Sequence, residues 1–140
     1  MNKVFAHEVQ VSTADCDPAG IVFYPQFLMM TEGAKDDWFA RGLGRSRLQL
    51  LSERRLSVEP DEVRCDFSAP VRMGDALTFE LSVLEIKDAS VRIRLIGKRN
   101  AVTHLTITQS LAFVSLDTRR AVAIPDDLRP RIEEYLSSPG

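Results

Sequence analysis

The sequence has no basic surplus. Its 18 lysines and arginines face 20 aspartates and glutamates, a formal net charge of −2 at pH 7. No cationic stripe emerges, which argues against a nucleic-acid partner. Cysteine is scarce: Cys16 and Cys65 lie far apart, without C-x-x-C or Cys/His spacing. That pattern fits a reducing compartment rather than a disulfide framework. The opening stretch MNKVFAHEVQV alternates and lacks a secretory apolar segment, so a cytoplasmic location is expected. No apolar run approaches the roughly 20 residues of a membrane-spanning helix, and no membrane partner is expected. Also missing are a Gly-rich phosphate loop, G-x-S-x-G, H-E-x-x-H and other metal-ligand spacings. The two histidines, His7 and His104, stand alone on strand-like segments.

What is present reads as one domain, 1–140, large enough to bury about two thirds of its unfolded surface without staples. Val4 to Ser12 alternates and predicts a strand. Pro25 suits the first position of a helix, where its missing N–H costs nothing. Phe27, Met30, Ala34 and Trp38 then recur at helical spacing, with Leu28, Glu32 and Phe39 on the adjoining side. Gly42 and Gly44 end that helix. A shorter helix is expected over about Ser46 to Arg54, with Leu48 and Leu51 facing inward.

From Asp61 to about Val122 the period changes to two. Val63/Cys65/Phe67, Leu77/Phe79/Leu81/Val83, Val91/Ile93/Leu95 and Leu105/Ile107/Gln109/Leu111/Phe113 alternate with polar residues, separated by short turn sequences. Pro125 to Ser137 predicts a small closing helix, capped by Asp126 or Asp127. Strands joined by short turns make an antiparallel meander, and the long helix needs cover on its apolar faces. The fold class is therefore α+β, in the order β-α-β-β-β-β: a long central helix wrapped by a curved antiparallel β-sheet. Its edge strands invite pairing between copies, so a homo-oligomer is expected.

Chemistry concentrates in residues 15–25, DCDPAGIVFYP. Asp17 precedes Pro18-Ala19-Gly20, so a turn sets its position, and the helix begins a few residues on, near Tyr24-Pro25. The first amides of a helix lack internal partners and carry partial positive charge. A carbonyl lodged there would find backbone donors for a developing oxyanion, and a carboxylate to attack it or to activate water. Because carboxylates are modest nucleophiles, the substrate on this reading is an activated acyl group such as a thioester. The same residues also read as an ordinary Asx-Pro turn. Asp15 reads as a turn cap, and Cys16, between two acids that disfavour its thiolate, as structural.

DCDPAGIVFYP, a following helix with an acid at Glu32, then FSAPVRMGDALTFEL and a late AIPDDL, together resemble the hotdog-fold acyl-CoA thioesterases. The nearest branch is that of 4-hydroxybenzoyl-CoA thioesterase. The resemblance implies a hotdog fold, with Asp17 as the catalytic carboxylate and the Tyr24 backbone N–H as the oxyanion donor. The helix would line the acyl pocket, which makes Gly20, Phe23, Pro25, Leu28 and Glu32 the candidate substrate-binding positions. Sites would form between subunits of a dimer or tetramer, the partner being a coenzyme A thioester, with neither metal nor dissociable cofactor. Glu32 would meet the polar end of the acyl group or serve as an interfacial charge.

One feature departs from that branch. Its basic hairpin near the nucleotide phosphates is here Lys87-Asp88-Ala89, leaving Arg72, Arg99 and Arg119-Arg120 as candidates by charge alone. The expected activity is hydrolysis of an aromatic acyl-CoA such as 4-hydroxybenzoyl-CoA. A hydratase reading would need D-x-x-x-x-H, and no Asp here has His five residues later. The other alternative is a non-catalytic acyl-CoA-binding or interaction protein on the same scaffold.

Overall fold

The alternating second half of the chain forms four long strands, and the early strand joins them. A computed structural model describes residues 2–22 and 24–137, and of Tyr24 the backbone. In chain order the elements are β1 (Phe5–Gln10), a 3-10 turn (Thr13–Asp15), α1 (Tyr24–Asp37) continuing into a π-helical turn (Trp38–Leu43), and α2 (Arg47–Arg54). They are followed by β2 (Leu56–Phe67), β3 (Ala76–Ile86), β4 (Ser90–Arg99), β5 (Val102–Ser115) and α3 (Arg129–Glu133). The strands form one antiparallel sheet in the order β1-β3-β4-β5-β2. This is the α+β hotdog arrangement, a curved sheet around α1. Among the described residues, no helix is long and apolar enough to cross a membrane.

The core follows from the two periodicities. Phe27, Met30 and Ala34 on α1 and Trp38 at the start of the π-helical turn are all buried. They share one buried cluster with strand residues such as Leu81, Leu95 and Ile107, which stand side by side across β3, β4 and β5. One row down, Phe79, Gly97 and Leu105 are paired across the same strands, with Phe67 of β2 at the end. A Cβ at Gly97 would lie 2.6 Å from Leu105 Cδ2 and 3.1 Å from Phe79 Cε1. Only glycine lets these two side chains close over the strand.

The helical period did not reveal that Thr31 and Lys35 share the buried stripe of α1. Lys35 is fully buried, and its Nζ donates to Gln109 Oε1 of β5 and to Glu32 Oε1, both at 2.7 Å. Arg47, first residue of α2, joins the cluster through Glu32 Oε2 at 2.8 Å and Asp36 Oδ1 at 2.6 Å. This explains a correction. Leu48 and Leu51 do not face inward; they are 72% and 41% exposed, and Leu50 is the buried residue of α2. The anchored Arg47 rolls the Arg47/Leu50 face onto the protein and the Leu48/Leu51 face outward. Ser46 caps α2 through a capping box with Gln49, as that boundary anticipates.

Two further boundaries differ. β2 begins at Leu56 rather than Asp61 and runs through Pro60. Proline is tolerated there because β2 is an edge strand of the sheet. The closing helix is shorter than expected, and its N-cap is Leu128 rather than Asp126 or Asp127; Asp127 instead pairs with Arg54.

His7 is not alone either. Its Nδ1 lies 2.8 Å from Asp37 Oδ2, joining edge strand β1 to the end of α1. Arg41 also grips Asp37, with Nε and Nη2 both at 2.5 Å. The Arg41 hydrogen bonds, with help from His7, pull the Asp37 carboxyl down from 3.8 to about 2. A depressed carboxyl contributes stability that is whole above its unfolded pKa and disappears as pH falls through the folded one. Denaturant titrations between pH 5 and 2 should therefore show stability falling below about pH 4, with a shallower decline in Asp37→Asn. Identical slopes in the two proteins would contradict this assignment.

Candidate active site

Residues 16–22 close into a small hairpin because Cys16 and Val22 pair across it. At its tip the Asp17 N–H donates to Ile21 O and the Gly20 N–H to Asp17 O, each at 2.9 Å. Gly20 turns the chain at φ +79°, a conformation costly for any residue with a Cβ. Asp17 Oδ1 accepts the N–H groups of Ala19 at 2.9 Å and Ile21 at 3.1 Å. The expected Asx turn is therefore real, and it accounts for one carboxylate oxygen. The other, Oδ2, has no hydrogen-bond partner among the described residues, and the residue is exposed. Asp15 is a turn cap, its Oδ2 accepting from the Ser12 N–H and Oγ–H at 2.9 and 3.1 Å. Burial pushes the Cys16 thiol up, and Asp15 and Asp17 add to that, so its environment disfavours the thiolate.

A second segment, residues 68–75, docks against this hairpin. Ile21 bridges Arg72, Met73 N–H donates to Gly20 O at 3.0 Å, and Val22 N–H to Val71 O at 2.9 Å. The segment is held from behind by His104. Its carbonyl accepts the Ser68 and Ala69 N–H groups at 2.8 and 3.1 Å, and its Nδ1 lies 3.0 Å from Pro70 O. A carbonyl only accepts, so Nδ1 carries a proton. His104 is thus a brace rather than a ligand.

Between the hairpin, the braced segment and the first turns of α1 lies a pocket of about 300 Å³, lined by Ile21, Val22, Phe27, Phe67, Ala69, Pro70 and Val71. Phe27 and Phe67 meet there with ring centroids 5.2 Å apart. Asp17 stands beside it through Ile21, whose N–H it holds and whose side chain lines the wall. α1 begins at Tyr24, three residues before Phe27, so the helix N-terminus adjoins the same pocket. A second hollow, between α2 and β2, includes Asp36 and Arg47, which are bound to each other.

The remaining candidates fall as follows. Gly20 sits in the hairpin tip, and Phe23 and the Tyr24 side chain lie outside the described residues. Pro25 is exposed on the first turn and Leu28 half-buried next to Phe27. Glu32 is occupied by Lys35 and Arg47; burial raises its carboxyl, but those hydrogen bonds outweigh it and hold the group low. Of the pocket-lining residues, Phe67 reads from sequence as the end of an alternating strand, and Ala69, Pro70 and Val71 only as part of the FSAPV stretch, none with a role. Of the cations, Arg72 adjoins Ile21, and Arg99 Nε reaches Asp75 Oδ1 at 3.3 Å in the same turn. Arg119 and Arg120 belong to the turn after β5. At the Lys87-Asp88 turn, Arg129 supplies a cation from α3, its Nη2 donating to Lys87 O at 2.6 Å. Among the described residues, no three His, Cys, Asp or Glu side chains converge as metal ligands.

Residues 11–132 match the thioesterase-like superfamily, and the chain belongs to that family. It is 26% identical over 129 residues to the acyl-CoA thioesterase YbgC of Haemophilus influenzae, spanning 92% of this chain and 94% of that one. It is 32% identical over 81 residues to a 1,4-dihydroxy-2-naphthoyl-CoA hydrolase of Synechocystis, 58% of each chain. In structure it is similar to a thioesterase superfamily protein from Jannaschia, with a TM-score of 0.89 at 24% identity, covering 99% of this chain and 96% of the other.

The two bonds to Oδ1 separate the structural from the chemical part of Asp17. Asparagine keeps an oxygen acceptor there and alanine does not. Asp17→Ala should lower Tm by several degrees, as expected for turn hydrogen bonds worth about 1 kcal/mol together, while Asp17→Asn melts close to the parent. Equal melting of both variants would show that the turn bonds carry no weight.

Proposed function

We propose that the chain is an acyl-CoA thioester hydrolase acting on aromatic acyl-CoA thioesters, the class that includes 4-hydroxybenzoyl-CoA. The observation carrying this reading is the Asp17 Oδ2, unpartnered among the described residues, on a hairpin whose Ile21 lines an apolar pocket next to the start of α1. The acyl group occupies the pocket, and its thioester carbonyl accepts from the Tyr24 N–H. The helix N-terminus favours the negative charge that develops on that oxygen. Asp17 attacks the carbonyl carbon, or takes a proton from a water that does so. The C–S bond breaks, the thiolate leaves on coenzyme A, and water supplies the oxygen of the released acid. The aromatic class is supported by the Phe27/Phe67 pair and by the Synechocystis relative named for a naphthoyl thioester.

Arg72, exposed, bridged to Ile21 and next in sequence to Val71 of the pocket wall, is the cation we assign to the anionic half of coenzyme A. A homo-oligomer, dimer or tetramer, is part of the same proposal. β2 is an edge strand that exposes Val63 and Phe67, and Phe67 also lines the pocket. Pairing of a second copy along that edge would remove an unpaired strand from solvent and bring a second chain to the acyl site.

Asp17→Asn, which keeps the turn, should reduce kcat for benzoyl-CoA hydrolysis by about 10²–10⁴, measured by release of free thiol. Near-full turnover in that variant would remove Asp17 from the mechanism. Tight binding of acyl-CoA by the parent without thiol release would favour a binding protein instead.

A further inference from the structure

An acyl pocket selects by what its walls leave unsatisfied. All seven described lining residues, Ile21, Val22, Phe27, Phe67, Ala69, Pro70 and Val71, have hydrocarbon side chains. The polar side chains that follow Phe27 on the buried side of α1 are already committed. Thr31 Oγ1 donates to Leu28 O at 2.7 Å. Glu32 has one oxygen on Lys35 and the other on Arg47, and Lys35 is shared between Glu32 and Gln109. Behind the opposite wall, the Nδ1 proton of His104 is held by Pro70 O. Glu32 is also distant along the helix, eight residues and about 12 Å from Tyr24 at 1.5 Å per residue.

We infer that the enzyme selects acyl groups whose buried end is hydrocarbon, an unsubstituted or alkyl-substituted ring, over those carrying a ring hydroxyl. The inference rests on the pocket being the acyl site, and it narrows the aromatic reading against the 4-hydroxyl. Among the described residues of this chain, a hydroxyl placed there finds no uncommitted partner in return for its water. Glu32 would have to release Lys35 or Arg47 to accept it, leaving a buried ammonium or a guanidinium short of its partner. The expected discrimination is of the size a hydrophobic pocket achieves against an added hydroxyl, up to about 10²-fold. A site built to bind the hydroxyl would show the opposite sign and a far larger ratio, about 10⁴–10⁵.

Methyl and hydroxyl are close in size, so a para-substituted pair isolates polarity from shape. Two readouts keep this inference apart from the hydrolase reading. The first is calorimetric binding to the full-length parent protein of 4-methylphenacyl-CoA and 4-hydroxyphenacyl-CoA, thioethers that cannot be hydrolysed. The second is kcat/KM on 4-methylbenzoyl-CoA and 4-hydroxybenzoyl-CoA. The methyl compound should bind about 10- to 100-fold tighter and its thioester should react faster by a similar factor. Equal or inverted binding overturns the inference, whatever the turnover. Binding of neither thioether overturns it as well, by removing the pocket as an acyl site. Methyl-selective binding with no thiol released from either thioester upholds the inference and sinks the hydrolase reading alone.

Discussion

A buried ammonium holds the long helix in place. Lys35 is wholly removed from water, and burial pulls its pKa down, so the charge persists only because partners wait for it. Glu32 supplies the counter-charge from the same helix, and Gln109 supplies an oxygen from β5. Removing one partner of such a group is strongly destabilising, because the other is left uncompensated. The Lys35–Gln109 contact therefore fixes how far α1 sits along the sheet, and Arg47 extends the same cluster to α2. With that register set, Phe27 falls opposite Phe67, and the helix N-terminus arrives beside the 16–22 hairpin.

The hairpin then does for the carboxylate what the cluster does for the helix. An aspartate on a free loop would sample many rotamers. Here one oxygen is held by two amides of its own turn, which fixes the carboxylate and leaves the other oxygen without a hydrogen-bond partner among the described residues. The turn is in turn tied to residues 71–73 and braced by His104 from β5. The Asp17 carboxylate, the pocket wall and the helix terminus thus share one hydrogen-bonded corner, although they come from three separate stretches of chain. On the proposed function, preorganisation of this kind is what a modest nucleophile or base would need to act on a thioester.

Much of this was legible from residue patterns. The alternation at 77–83, 91–95 and 105–113 and the 27/30/34/38 spacing marked the strands and the central helix, and Asp17-Pro18-Ala19-Gly20 marked the turn. The misses share a cause: they depend on partners distant in sequence. A lysine at position 35 reads as solvent-facing until Gln109 is placed over it. Leu48 and Leu51 read as inward until Arg47 is anchored to α1. His7 and His104 looked solitary because Asp37 and Pro70 lie tens of residues away. The pocket wall at Phe67–Val71 lies in a recognisable motif, yet nothing local marks those residues as lining the same pocket as Phe27.

The proposed hydrolysis requires one arrangement, a thioester carbonyl held between Asp17 and the start of α1. A crystal structure of the protein with phenacyl-CoA bound addresses it directly. The ring should occupy the pocket between Phe27 and Phe67, and the ketone oxygen should lie about 2.7–3.1 Å from the Tyr24 nitrogen. Asp17 Oδ2 should approach the carbonyl carbon to about 3–3.5 Å, or reach it through a single water. A ring seated elsewhere, or a carbonyl out of reach of both groups, would contradict the account.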